Sequence, residues 1–338
     1  MMCPPQQSRR QMLGLIAATG AVAAMGFRPG TSQAATPAIP WISLARIDAG
    51  DLSVEYADLG PREGVPVILL HGWPYDIHSF VEVAPRLVDK GHRVIVPFLR
   101  GYGGTQFRSA ETLRNGQQSA TAVDTIALMD ALGIDKTVLA GFDWGARTAD
   151  AIAALWPQRC RALVSVSGYL IGSQKANEAP LPPPAELAWW YQFYFATERG
   201  RVGYDRNRHD FNKLIWHTAS PRWAFDDETY ERSAKAFENP DHVAVVISNY
   251  RWRLGLAPSE ARFDAHEQKL AMLPSIAVPT ITMEGDANGA AHPMPADYAH
   301  RFTGPYAHRD VTGGIGHNLP QEAPSDFAQA VLDVQHLS

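Results

Sequence analysis

Hydrophobic and polar positions along the chain fall into a few repeating arrangements. Residues 41–47 and 52–57 alternate apolar and polar side chains around Ala49-Gly50-Asp51, which predicts an opening hairpin. Residues 65–70 and 137–140 are continuous apolar runs, expected of strands covered on both faces. Residues 93–97, 162–167, 278–283 and 309–311 read as further strands. Residues 81–88, 123–132 and 146–155 read as helices between them, with Gly133 and Pro157 as stops, and 323–334 as a final helix. Strands alternating with helices specify an α/β architecture with a doubly wound, mostly parallel sheet.

The alternation stops after Gly172. Pro180, Pro182, Pro183 and Pro184 stiffen the chain, and residues 185–256 then hold Trp189, Trp190, Trp216, Trp223 and Trp252. This predicts a helical cap over 173–258, inserted between core segments 35–172 and 259–338. Its aromatics either pack the cap's own interior or line a pocket above the sheet edge, where open α/β sheets bind ligands.

Composition agrees with one large α/β domain carrying an insertion: 338 residues, 46% hydrophobic and 19% charged. A net charge of −5, with no Lys/Arg run outside the N-terminus, argues against a nucleic-acid partner. The N-terminus has an export pattern: Ser8-Arg9-Arg10-Gln11-Met12-Leu13, a weakly apolar run to about Met25, then Ser32-Gln33-Ala34-Ala35. Residues 1–34 are therefore expected to be a twin-arginine signal, giving a periplasmic or secreted product. The run is too short and too rich in Gly and Ala for a stable membrane anchor. Cleavage would remove Arg9, Arg10 and Arg28 and no acid, and would leave Cys160 as the one cysteine, excluding an intrachain disulfide.

The stretch that carries chemistry is Gly141-Phe142-Asp143-Trp144-Gly145, between the 137–140 strand and the 146–155 helix. It has the G-x-S-x-G layout of a nucleophile elbow, with Asp in the serine position. The flanking glycines permit a turn too sharp for side chains. The helix N-terminus behind it favours negative charge. A carboxylate there is already ionised and needs no base to make it a nucleophile. His317, on Gly314-Ile315-Gly316-His317-Asn318 just past the last strand, is placed to act as general base on water. The backbone N–H groups of Trp73, in His71-Gly72-Trp73-Pro74, and of Trp144 are placed to form an oxyanion hole, with His71 bracing the loop.

These motifs, with Arg100-Gly101-Tyr102-Gly103, occur in an order that resembles the α/β-hydrolase superfamily. Within it the chain resembles the epoxide hydrolase and haloalkane dehalogenase branch, from about Leu44 to the C-terminus. The resemblance implies a two-step reaction without cofactor or metal: Asp143 forms an alkyl-enzyme ester on a small apolar or aromatic substrate, and water activated by His317 hydrolyses it. Members that open epoxides use two cap tyrosines as proton donors. Tyr191, in Trp190-Tyr191-Gln192-Phe193, and Tyr250, in Asn249-Tyr250-Arg251, fall at their positions. That favours an epoxide hydrolase over a haloalkane or haloacid dehalogenase. The family also supplies an acid to orient the histidine. Its usual position falls on Asn288, and the other known location offers Ser167. The expectation is that Asp286 takes the role through a local shift of the loop, with Asn288 as the alternative. An amide at 288 also leaves open a catalytically weak binding protein of the same fold.

Overall fold

The computed structural model describes residues 43–338. The expected export segment, 1–34, and the start of the first predicted strand lie outside the described residues. Nine strands form one sheet: β1 (Ala45–Ala49), β2 (Leu52–Leu59), β3 (Pro66–Leu70), β4 (Arg93–Pro97), β5 (Gln106–Phe107), β6 (Thr137–Gly141), β7 (Cys160–Val166), β8 (Thr280–Gly285) and β9 (Tyr306–Val311). Their spatial order is β1-β2-β4-β3-β6-β7-β8-β9, with β5 paired to β2. Pairing is antiparallel from β1 to β4 and parallel from β4 to β9, so the sheet is doubly wound and mostly parallel as expected. β4 and β6 are buried throughout and β3 nearly so, as continuous apolar runs require, while the edge strand β1 is largely exposed.

The winding direction reverses between β3 and β6, whose ends stay in register through Leu70 and Gly141. The crevice beyond such a reversal is where open sheets place ligands. Behind it pack α1 (Val83–Val88), α2 (Gln118–Ala131) and α3 (Trp144–Leu155). α2 begins at Gln118 rather than at 123. The carboxylate of Glu267 accepts from the Ser119 N–H at 3.0 Å and from Gln118 Nε2 at 3.0 Å, so polar residues that read as loop become a buried first turn.

Between β7 and β8 run α4 (Pro183–Ala188), α5 (Trp190–Ala196), α6 (Glu198–Ala219), α7 (Asp227–Ala234) and α8 (His242–Arg253). A buried polar clasp ties them to the loops after β3 and β4. Trp73 Nε1 donates to the Tyr204 hydroxyl at 2.8 Å, and that hydroxyl lies 2.9 Å from His242 Nε2. His242 Nδ1 in turn donates to the Gly101 carbonyl at 2.9 Å. Burial pushes His242 down to about 3, so it is neutral, and with its single ring proton on Nδ1 its Nε2 faces the Tyr204 hydroxyl as an acceptor. Trp216 Nε1 adds a bond to the Pro74 carbonyl at 2.7 Å. Of the five tryptophans in this region, Trp216 is fully buried packing, and Trp189 and Trp190 line a cavity.

Candidate active site

Asp143 joins β6 to α3 with φ 53° and ψ −123°, a left-handed conformation that a non-glycine residue adopts only under constraint. The constraint is close packing. A Cβ on Gly145 would lie 1.9 Å from the Leu70 carbonyl oxygen, and one on Gly72 would lie 2.3 Å from Asp143 Oδ1. Only glycine allows β3 and its loop to approach this near, and the approach aims the carboxylate into the crevice.

Trp73 N–H donates to Asp143 Oδ1 at 2.7 Å. Burial acts to raise the Asp143 pKa, but the His317 hydrogen bond and charge, the Arg147 charge and the Trp144 N–H outweigh it, and the net direction is down. Asp143 is therefore ionised at neutral pH. His71, fully buried, is pushed down to about 4 by desolvation. It stays neutral, accepts from Leu99 N–H at 3.1 Å and fixes the loop that presents Trp73.

His317 Nε2 lies 3.5 Å from Asp143 Oδ2. The loop carrying it is held by Glu322, whose carboxylate accepts from Gly316 N–H at 2.7 Å and from Asn318 N–H at 3.1 Å. Ser220 Oγ accepts from His317 N–H at 3.0 Å.

The expectation that Asp286 partners His317 is corrected. Asp286 is exposed, and its carboxylate accepts the N–H groups of Gly313 at 3.1 Å, Gly314 at 2.8 Å and Ile315 at 2.9 Å. Those bonds draw its pKa down and shape the histidine loop from outside. The group on His317 Nδ1 is Asn288, whose Oδ1 lies 3.2 Å away. That oxygen also accepts from Ala290 N–H at 2.9 Å, which fixes the amide orientation and makes Nδ1 of His317 the protonated nitrogen. The Asn288 amide nitrogen donates to Glu284 Oε1 at 2.8 Å. A carboxylate is thus present, one hydrogen-bonded amide removed from the imidazole.

Asp143, His317, Trp73, Tyr191 and Tyr250 line one cavity of about 340 Å³. The tyrosine rings meet edge to face at 5.4 Å, and each packs on Trp73, at 5.1 Å and 5.2 Å. Burial raises both phenol pKa values, so both hydroxyls carry their protons. Trp144 is buried beneath this wall, 5.9 Å from the Tyr250 ring. Sequence reasoning missed Arg147 and Arg253 on the same wall, which also carries Ser167. Arg147 was open to detection, standing four residues after Asp143 on one helix, whereas Arg253 reaches the cavity only through the packing of α8.

The alpha/beta hydrolase fold family matches residues 65–203. The chain is 34% identical to epoxide hydrolase B of Mycobacterium tuberculosis over 160 residues, 43% of this chain and 44% of that protein. The match therefore spans under half of that curated relative. It is 29% identical to a haloalkane dehalogenase of Mycolicibacterium paratuberculosis over 63% of this chain and 70% of that one. A crystal structure of a protein from Klebsiella pneumoniae, proposed to be an epoxide hydrolase, superposes with a TM-score of 0.86 at 64% identity, over 87% of this chain and 97% of that one.

Proposed function

The chain belongs to the α/β-hydrolase superfamily, in its epoxide hydrolase and haloalkane dehalogenase branch, and from that premise we propose that it hydrolyses epoxides to vicinal diols through an ester on Asp143. The observation that carries the reading is the meeting of Asp143, two protonated cap tyrosines and His317 on one cavity wall.

In the first step Asp143 Oδ2 attacks an oxirane carbon, the carbon–oxygen bond breaks, and the departing alkoxide takes a proton from the Tyr191–Tyr250 pair. Oδ1 becomes the ester carbonyl and keeps its bond to Trp73 N–H, within the range needed for oxyanion stabilisation. In the second step His317 Nε2 takes a proton from water, and the hydroxide oxygen adds to the ester carbon. The charge that develops on Oδ1 meets Trp73 N–H, with Trp144 N–H as second donor. Collapse releases the diol and regenerates Asp143 with one oxygen from water, and the proton on His317 returns to the tyrosinate.

Two features support epoxide over carbon–halogen chemistry. The indole N–H of Trp73 is bonded to Tyr204 and so is not free to hold a halide, and the Trp144 side chain is buried beneath the cavity wall rather than lining it. We further propose that residues 173–258 act as a cap on a core of 35–172 and 259–338, and that 1–34 direct export. One turnover in heavy-oxygen water, followed by mass analysis of the peptide bearing Asp143, tests the ester route. Isotope in that carboxylate is expected, and isotope found only in the diol would sink it.

A further inference from the structure

Two guanidinium groups face the cavity, those of Arg147 and Arg253, and Asp143 is the one carboxylate on its wall. Leaving His317 aside, the wall carries two guanidinium charges against one carboxylate. Arg147 lies in the first turn of α3, four residues after Asp143, and both residues line the cavity. Its Nε donates to the Leu170 carbonyl at 3.1 Å, and Leu170 N–H donates to Asp150 Oδ2 at 2.7 Å. This tether uses one of five N–H donors and leaves the two terminal nitrogens without a protein acceptor among the described residues. Arg253 closes α8 with its guanidinium carbon 5.0 Å from the Trp189 ring and 5.8 Å from the Tyr250 ring. Its side chain makes no hydrogen bond or ion pair among the described residues. Burial first, then the charge of Arg147, draws its pKa down to about 10.

A buried arginine serving structure alone looks different in this same molecule. Arg100 binds Asp124 at 2.6 Å and 2.8 Å and Asn115 Oδ1 at 2.6 Å. Arg147 and Arg253 are instead held by one carbonyl and two aromatic faces, with their terminal donors unspent beside the nucleophile. Two planar cations sharing a desolvated wall suit a planar, bidentate anion.

We propose that Arg147 and Arg253 form a carboxylate-binding subsite, and that the substrates are epoxides carrying a carboxylate; the substrate class rests on the function proposed above, the subsite does not. The remaining wall is largely apolar, so the body between oxirane and carboxylate is an aryl or short alkyl unit. Anchoring the acid at the guanidinium pair turns the oxirane toward Asp143 Oδ2, with roughly one helical turn, about 6 Å, between the two ends.

The test compares 4-carboxystyrene oxide with its methyl ester in buffer free of carboxylates. The unmodified enzyme is expected to favour the acid by about 100-fold in kcat/KM, and Arg253→Gln and Arg147→Gln to bring that ratio to within about threefold of one. Equal or better turnover of the ester by the unmodified enzyme overturns the proposal, and this comparison needs no variant to fold. Binding of 4-methylbenzoate, followed by tryptophan fluorescence, separates the two claims. If it binds, is lost in both variants, and neither epoxide is turned over, the subsite stands and the epoxide reading falls. If it binds both variants as tightly as the unmodified enzyme, the subsite falls.

Discussion

Exchanging the carboxylate at 284 with the amide at 288 measures what the indirect relay on His317 does. In the proposed mechanism His317 takes the proton of water, and the charge it gains would be stabilised by the Asn288 carbonyl, which contacts it, and, beyond that amide, by Glu284. Two hydrogen bonds and an amide set that carboxylate roughly 8 Å from the imidazole, worth about 2 kcal/mol at an effective dielectric of about 20. A carboxylate in contact, at about 4 Å, would be worth about 4 kcal/mol. Glu284→Gln should therefore slow ester hydrolysis by about 30-fold. Asn288→Asp alone should gain little, because the new carboxylate would sit where an amide now lies 2.8 Å from Glu284, and two carboxylates that close share a proton. The double variant, Glu284→Gln with Asn288→Asp, removes that conflict and should hydrolyse the ester about 30-fold faster than the unmodified enzyme. Single-turnover quench with mass detection of the esterified Asp143 peptide gives the rate directly, and ester formation serves as internal control. Unchanged ester decay in Glu284→Gln, or a double variant no faster than that single one, would refute the electrostatic relay.

His317→Gln should form ester and stop, so that one equivalent of epoxide is consumed and the Asp143 peptide keeps the added mass; steady diol production would contradict the assigned base. Tyr191→Phe and Tyr250→Phe should each slow ester formation by about 10- to 100-fold and leave ester decay nearly unchanged, as rapid-quench kinetics will show. Stability should fall with acid. His71 and His242 are neutral in the fold, with pKa values of about 4 and about 3 against 6.5. Their contribution is complete above 6.5 and is lost as pH falls toward those values. Asp150, raised to about 7 by burial, acts oppositely and regains stability on acidification, but two histidines outweigh it. Tm should drop between pH 6.5 and 4, and His242→Gln should show a shallower slope; equal slopes would remove His242 as a cause.

The elbow, its strand and its helix were legible because three constraints coincide within a few residues: an apolar run, paired glycines and a helix start. The alternating strands and helices likewise gave the sheet. The acid was misread because a carboxylate was sought in direct contact with the histidine. Asp286 has the expected residue type but is engaged by three loop N–H groups, and what meets His317 is the Asn288 amide, itself hydrogen-bonded to Glu284. Arg253 and Tyr204 were illegible for another reason. Each lies far from Asp143 along the chain, and their meeting with the pocket wall and Trp73 depends on how α6 and α8 pack.

The bond between Trp73 and Tyr204 has an evolutionary implication. One residue offers its backbone N–H to Asp143 and its indole to Tyr204 on α6, so under the proposed mechanism loosening helix α6 to admit bulkier molecules would disturb the cradle that stabilises charge. Diversification of substrate range is then channelled to the opposite rim, where Leu187 and Trp190 border the cavity, remain partly open to solvent and have no such bond to the chemistry.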